Sequence, residues 1–257
     1  MCAGSLSVAL RLGRRIVEAA TRGGCTLRIL GGVAVVQRCS GVYRQAPELA
    51  RAPRDLDVAG LSRERNRLES LFVEIGLRPN REFNLLAGGE RLSFAWDCEG
   101  EAVRIDVILD RLAMCHGLPL AARLSRHDLT LSATDLLLSK LQIQFPTESD
   151  AKDMLAMLMA FDYGPSAVEK DYIETDYVCR LCGSDWGWYR TVVENLQRVS
   201  GWIGMVERAE LQNVVDCRSR MLRSALESCG KTLRWRLRGM IGERVRWYDI
   251  PEGWPVV

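Results

Sequence analysis

The chain is 257 residues long, 47% hydrophobic and 26% charged, which suits one large or two small domains and excludes a disordered or repetitive polypeptide. Thirty-five basic against 33 acidic residues leave a net charge of +2, so no global field points to nucleic acid or to a membrane surface. Only four of the basic residues are Lys, and Lys140, Lys152, Lys170 and Lys231 all fall in the second half.

The start, Met1 to Arg15, sets Arg11, Arg14 and Arg15 after a weak apolar patch, the reverse of a secretion signal's charge order, and reads as the first helix. No apolar run approaches the roughly 18–20 residues of a membrane span. Nine cysteines, odd in number and scattered from Cys2 to Cys229, are not a disulfide framework, so a reducing, cytoplasmic setting is expected.

Ser5 to Thr21 is apolar at helical spacing and ends at Gly23-Gly24. Thr26 to Leu30 reads as a strand, Gly31-Gly32 as a break, Val33 to Arg38 as a helix and Gly41 to Pro53 as a loop. Leu56 to Ala59 is strand-like, and Ser62 to Ile75 a helix with Ser62 as its cap and Gly76 at its end. Arg91 to Trp96 and Ala102 to Leu109 form two extended segments joined through Asp97-Cys98-Glu99-Gly100, a hairpin signal. From about Arg123 helical periodicity dominates: Ser132 to Phe145, Ser149 to Phe161, Val168 to Leu181, Asp185 to Val199 and Gly204 to Cys229. The order predicts an α/β (α+β) domain over 1–120 and a helical domain over 121–257.

Three features of the first half carry chemistry. In Arg51-Ala-Pro-Arg-Asp55-Leu-Asp57-Val58 two acids stand two apart, so on a strand they share one face while Leu56 and Val58 face the core. Side-by-side carboxylates repel unless a cation joins them, and Mg²⁺ takes one or two carboxylates plus substrate phosphates; a solvated strand end is the plainer alternative. Gly31-Gly32 lies between a strand and a helix, where a backbone without Cβ atoms can approach a phosphate, or simply turn tightly. Asp106 interrupts an apolar strand, which calls for a hydrogen-bonded edge acid or a metal ligand.

In that order, Gly31-Gly32, Arg51-x-x-x-Asp55-x-Asp57 and Asp106 resemble the nucleotidyltransferase superfamily over about Leu27 to Leu109. Asp135-x-x-x-x-Lys140, followed by Ala151-Lys152-Asp153, is similar to the helical motifs of AbiEii-type (type IV toxin–antitoxin) nucleotidyltransferases. The pattern departs at Gly32, where many relatives have Ser, at Pro53 in place of Thr, and at Ala156 in place of a further Asp. Residue by residue, the alternatives are a helix-start acid for Asp135, a surface lysine for Lys152, and a snorkelling lysine for Lys140.

The resemblance implies a mixed sheet with flanking helices followed by a helical domain, and attack of an acceptor hydroxyl on the α-phosphate of a nucleoside triphosphate. Asp55, Asp57 and Asp106 would hold Mg²⁺ or Mn²⁺; Gly31, Gly32, Arg51, Asp135, Lys140 and Lys152 would bind the nucleotide. The acceptor would be tRNA, another RNA or a protein, and a neighbouring antitoxin would be the partner of a toxin. Since the first half lacks Lys, an amine on the triphosphate would come from the helical half, making one shared cleft. The alternative is a protein that kept the fold and nucleotide binding but lost turnover.

Two further stretches stand out. Arg218 to Arg246 holds nine basic residues with Trp235 and Trp247 interleaved, a pattern for RNA or for a solvated helix face. Cys179-x-x-Cys182 has the spacing of half a structural zinc site, but the second half is missing, which favours core cysteines.

Overall fold

The computed structural model describes residues 3–53, 55–98, 101–164 and 172–251. In chain order its elements are α1 (Ala3–Arg22), β1 (Leu27–Leu30), α2 (Gly31–Arg38), α3 (Ser40–Tyr43), β2 (Leu56–Gly60), α4 (Arg65–Glu74), β3 (Arg78–Pro79), α5 (Arg81–Leu86), β4 (Arg91–Cys98) and β5 (Glu101–Leu109). The short strands β6 (Arg111–Ala113) and β7 (Gly117–Pro119) follow, then α6 (Ala133–Leu141), α7 (Glu148–Ala160), β8 (Tyr163–Gly164), β9 (Ile173–Glu174), α8 (Thr175–Ser184), α9 (Trp186–Trp202), α10 (Ala209–Ser228) and α11 (Leu233–Ile241). The fold is thus mixed α/β, a five-stranded sheet with flanking helices and a helical C-terminal region. Among the described residues no helix is long and apolar enough to cross a membrane.

The chain divides into two compact units: Met1–Arg38, Arg51–Leu112 and Pro119–Ser132 in the first, Cys39–Ala50, Ala113–Leu118 and Ala133–Val257 in the second. In the first unit the sheet runs β1-β2-β5-β4-β3. Neighbours are antiparallel except β2 and β5, which are parallel. Alternate residues of β2 and β5, Leu56, Val58, Ile105 and Val107, are fully buried, and burial at that scale stabilises by about 1.5–3 kcal/mol per side chain. Leu12, Ile16 and Ala20 of α1 and Leu68 and Phe72 of α4 join that core, with Phe72 edge-on to Phe94 of β4. Residues 129–131 cover the outer edge of β1: the Ile29 N–H donates to the Leu129 carbonyl, and the Leu131 N–H donates to that of Ile29, each at 2.9 Å. The Arg38 guanidinium fixes this segment through Thr130 Oγ1 and the Leu131 carbonyl. An open strand edge is thereby blunted.

The second unit packs α6 to α10 around Leu136, Met154, Leu158, Val178, Val192, Leu196, Leu222 and Leu226. α7 begins with a capping box: Thr147 accepts from the Asp150 N–H, and the Asp150 carboxylate accepts from the Thr147 N–H. Within the core, His116 Nε2 lies 2.9 Å from Thr191 Oγ1, which donates to Gln144.

Several sequence expectations are corrected. Gly41 to Pro53 is not all loop, because α3 and a 3₁₀ turn at Pro47–Leu49 bury Val42 and Leu49. Ser62 does not cap a helix: it opens a 3₁₀ turn, its hydroxyl donates to Asp110, and α4 starts at Arg65. The helix read as Ser132 to Phe145 stops at Leu141, because Asn195 Nδ2 donates to the Leu141 and Ile143 carbonyls at 2.9 and 2.8 Å and closes that end. A 3₁₀ turn at Ile203–Met205 precedes α10, which starts at Ala209 rather than Gly204. The helix read over Val168 to Leu181 is observed as Thr175–Ser184; residues 165–171, with Lys170, and the turn at Glu99-Gly100 lie outside the described residues.

Candidate active site

The site is a row across the sheet of the first unit. Register pairs Leu30 with Asp57, Asp57 with Asp106 and Asp106 with Ser93, so four strands place these residues side by side. Cross-strand partners share a face, so Asp57 and Asp106 point to the side opposite their buried neighbours Leu56 and Ile105. Asp106 is 8% exposed. Ser93 Oγ donates to its Oδ1 at 2.9 Å, and the Ser93 N–H donates to Asn84 Oδ1 at 2.7 Å. The acid inside an apolar strand is therefore satisfied from the neighbouring strand rather than at a sheet edge. Its Oδ2 faces Arg104 Nε at 3.4 Å and Arg91 Nη2 at 3.8 Å.

Asp55 stands one residue before β2, and Arg104 two before Asp106 on the same face of β5. Arg104 Nη2 donates to Asp55 Oδ2 at 3.0 Å while Nε meets Asp106, so one guanidinium spans two of the three acids.

The glycines stand beside this row. Gly31 opens α2 with φ +68°, a left-handed conformation that favours glycine, and a Cβ there would overlap the Asp57 carboxylate. At Gly32 a Cβ would lie 2.5 Å from Arg51 Nη2 and 3.0 Å from its Cζ. The guanidinium thus rests on the Gly32 backbone, in the room that a serine side chain would need. A cation, backbone N–H groups at a helix start and two acids in register lie together, the components that phosphate and a hard cation require.

By donor type, Asp55, Asp57 and Asp106 fit a hard divalent cation, and the register pair needs a countercharge. Among the described residues, however, no three His, Cys, Asp or Glu side chains converge as a ready metal cluster; between Asp55 and Asp106 the positive charge is that of Arg104.

The structure thus brings together Gly31, Gly32, Arg51, Asp55, Asp57 and Asp106. Asp135, Lys140 and Lys152 belong to the second unit. Asp135 is fully buried in α6. Lys140 Nζ is 2.9 Å from both Asp150 and Asp153, and Lys152 pairs with Glu148 one turn earlier. Burial pushes the Asp150 carboxyl up, yet the Lys140 ammonium and hydrogen bonds from Lys140 and Thr147 outweigh it and hold the group below its ordinary value. Cys182 is buried and its thiol is pushed well up; burial and then Cys229 push Cys179 up to about 11. Sequence reasoning missed the roles of Ser93, Asn84 and Arg104; polar residues two apart, Arg91 and Ser93 in β4 and Arg104 and Asp106 in β5, were the available signal for the strand residues.

No protein-family model matches the chain, and no curated protein matches it. Among solved structures, the antibiotic-resistance factor ANT(2'')-Ia aligns at a TM-score of 0.36 and 17% identity, over 86% of this chain and 96% of its own. An antigenic nucleotidyltransferase-like protein from Paracoccidioides brasiliensis aligns at 0.40 and 13%, over 90% and 96%. Likenesses this distant carry no argument, so the functional reading rests on the site itself.

Proposed function

We propose that the chain is a nucleotidyltransferase that moves a nucleoside monophosphate from a triphosphate to a hydroxyl acceptor. The observation that carries this reading is the meeting of Asp57 and Asp106, in register on one face, with the bare helix start at Gly31. Gly31 and Gly32 would receive phosphate oxygens on backbone N–H groups, and the Arg51 fork would neutralise them. Asp55, Asp57 and Asp106 would hold Mg²⁺ or Mn²⁺, which supplies charge stabilisation to the entering and leaving oxygens. The acceptor oxygen bonds to the α-phosphorus as the bond to the bridging oxygen breaks, pyrophosphate leaves, and the hydroxyl proton passes to Asp106 Oδ2. Ser93 fixes that carboxylate through its other oxygen.

The AbiEii-type assignment, an RNA or protein acceptor and a partner antitoxin are the finer parts of the proposal, motivated by Asp135, Lys140 and Lys152. Lys140 already faces two carboxylates, so a phosphate contact from it requires an exchange of partners. The Arg104 bridge favours a second reading, a nucleotide-binding protein without turnover. Incubation of each labelled triphosphate with Mg²⁺ and total RNA or protein decides between them. Transfer that disappears in Asp57→Asn and Asp106→Asn upholds the enzyme; nucleotide binding without transfer to any acceptor upholds the second reading.

A further inference from the structure

The basic stretch Arg218 to Arg246 divides in two once folded. On α10, Arg218 is bound to Asp162 and to the Leu158 and Met159 carbonyls, Arg220 to Asp216 and Arg223 to Glu227. Those charges are already matched. Lys231 donates to the Leu226 and Cys229 carbonyls at the end of α10. Beyond it, Arg238 stacks 4.7 Å over Trp186 and donates to the Gly242 and Val245 carbonyls at 2.7 Å, so it builds a wall rather than offering a charge.

That wall borders an open pocket of about 370 Å³ lying wholly within the second unit. Arg234 and Arg246 also line it, both exposed and without an acceptor among the described residues. Trp235 lines it too, its ring braced by Tyr189 edge-on at 5.2 Å. Trp186 and Trp247 supply further aromatic wall. Of the acids at its rim, Asp185 is occupied in capping α9 through the Gly187 and Trp188 N–H groups, while Asp249 is exposed and disfavours anions on its own side.

Two unmatched guanidinium forks select a phosphate, and the volume is that of one small ligand. We infer that this pocket binds a phosphate monoester, carried either by a free nucleotide or by the 5′ end of a single strand. The site does not rest on the transfer reaction.

Fluorescence of the wall tryptophans reads it directly, with adenosine 5′-monophosphate, adenosine and a 5′-phosphorylated adenylate hexamer as probes at low salt. Saturable quenching by the monophosphate or the hexamer but not by adenosine is expected. Equal affinities identify a free nucleotide as the source, and tighter hexamer binding identifies a strand end. Arg234→Gln/Arg246→Gln should weaken binding at least tenfold and lower the salt slope for the hexamer by about 0.7 per guanidinium. Arg220→Gln, whose guanidinium is held by Asp216, should change neither. Binding of neither phosphate probe, equal quenching by adenosine, or wild-type affinity in the double variant would overturn the assignment. Nucleotidyl transfer measured on the same proteins is a separate readout, so either proposal can fail alone.

Discussion

The Asp57 carboxylate fills the place where a side chain at Gly31 would stand. Two constraints meet there: the left-handed φ of +68° and the overlap with the acid. Gly31→Ala must either rotate Asp57 away from Asp106 or unwind the start of α2. A left-handed non-glycine residue costs about 1–2 kcal/mol by itself. Chemical denaturation should show at least that loss, and labelled-nucleotide transfer should fall by two orders of magnitude or more. A variant with wild-type transfer would remove this contact from the mechanism.

Much of this site is local in the sequence. Asp55-x-Asp57 and Gly31-Gly32 are short patterns whose geometry follows from a strand's period of two and from a helix start, so they were legible. Ser93 and Arg104 were not, because what matters about them is register: Ser93 is thirteen residues from Asp106 and beside it only when β4 and β5 pair. The reason for Gly32 was hidden likewise, since Arg51 reaches it through tertiary packing. Thr147-x-x-Asp150 is local and was overlooked because an Asp in place of Glu weakens the capping-box signal. Lys140 was noticed as an intruder in an apolar run, but its partners Asp150 and Asp153 come from the next helix.

Arg104 makes a prediction of its own. Its guanidinium and a divalent cation call on the same carboxylates, Asp55 and Asp106. Arg104→Ala should therefore tighten Mn²⁺ binding, read by paramagnetic resonance of the free ion. The pairs are solvent-exposed on the arginine side, so the gain should be modest, roughly three- to tenfold. Unchanged or weaker Mn²⁺ binding would mean that Arg104 helps to shape the site rather than to occupy it.

His116 should make the second unit acid-sensitive. Burial lowers its pKa from 6.5 to about 4, against a smaller upward pull from Asp185 and Asp249. The folded chain thus keeps the ring neutral while the unfolded chain protonates it near 6.5. Stability is complete above that pH and is lost as pH falls toward 4, by roughly 2 kcal/mol at pH 5. His116→Gln keeps a polar partner for Thr191 without titrating in this range. Urea midpoints at pH 7.5 and pH 5 should diverge more for the wild type than for the variant, and parallel curves would refute the assignment.

The two lysines of α6 and α7 should differ sharply in their worth to the fold. Lys140 is 13% exposed along its side chain and faces Asp153, at 1%, as well as Asp150. Lys140→Met leaves both carboxylates without that ammonium, and breaking a buried pair from one side costs about 3–5 kcal/mol. Lys152 meets Glu148, whose side chain is 71% exposed, at a helical spacing of four. Such a pair contributes about 0.3–0.5 kcal/mol, so Lys152→Ala should shift the urea midpoint little. The pH dependence separates the two further. Asp150 has its carboxyl lowered on folding, so the Lys140 contact stabilises above the ordinary carboxylate range and is lost as pH falls through the folded value. Lys140→Met should flatten that acid limb and Lys152→Ala should leave it in place; equal midpoint shifts in the two variants would show that Lys140 is not a structural ion pair.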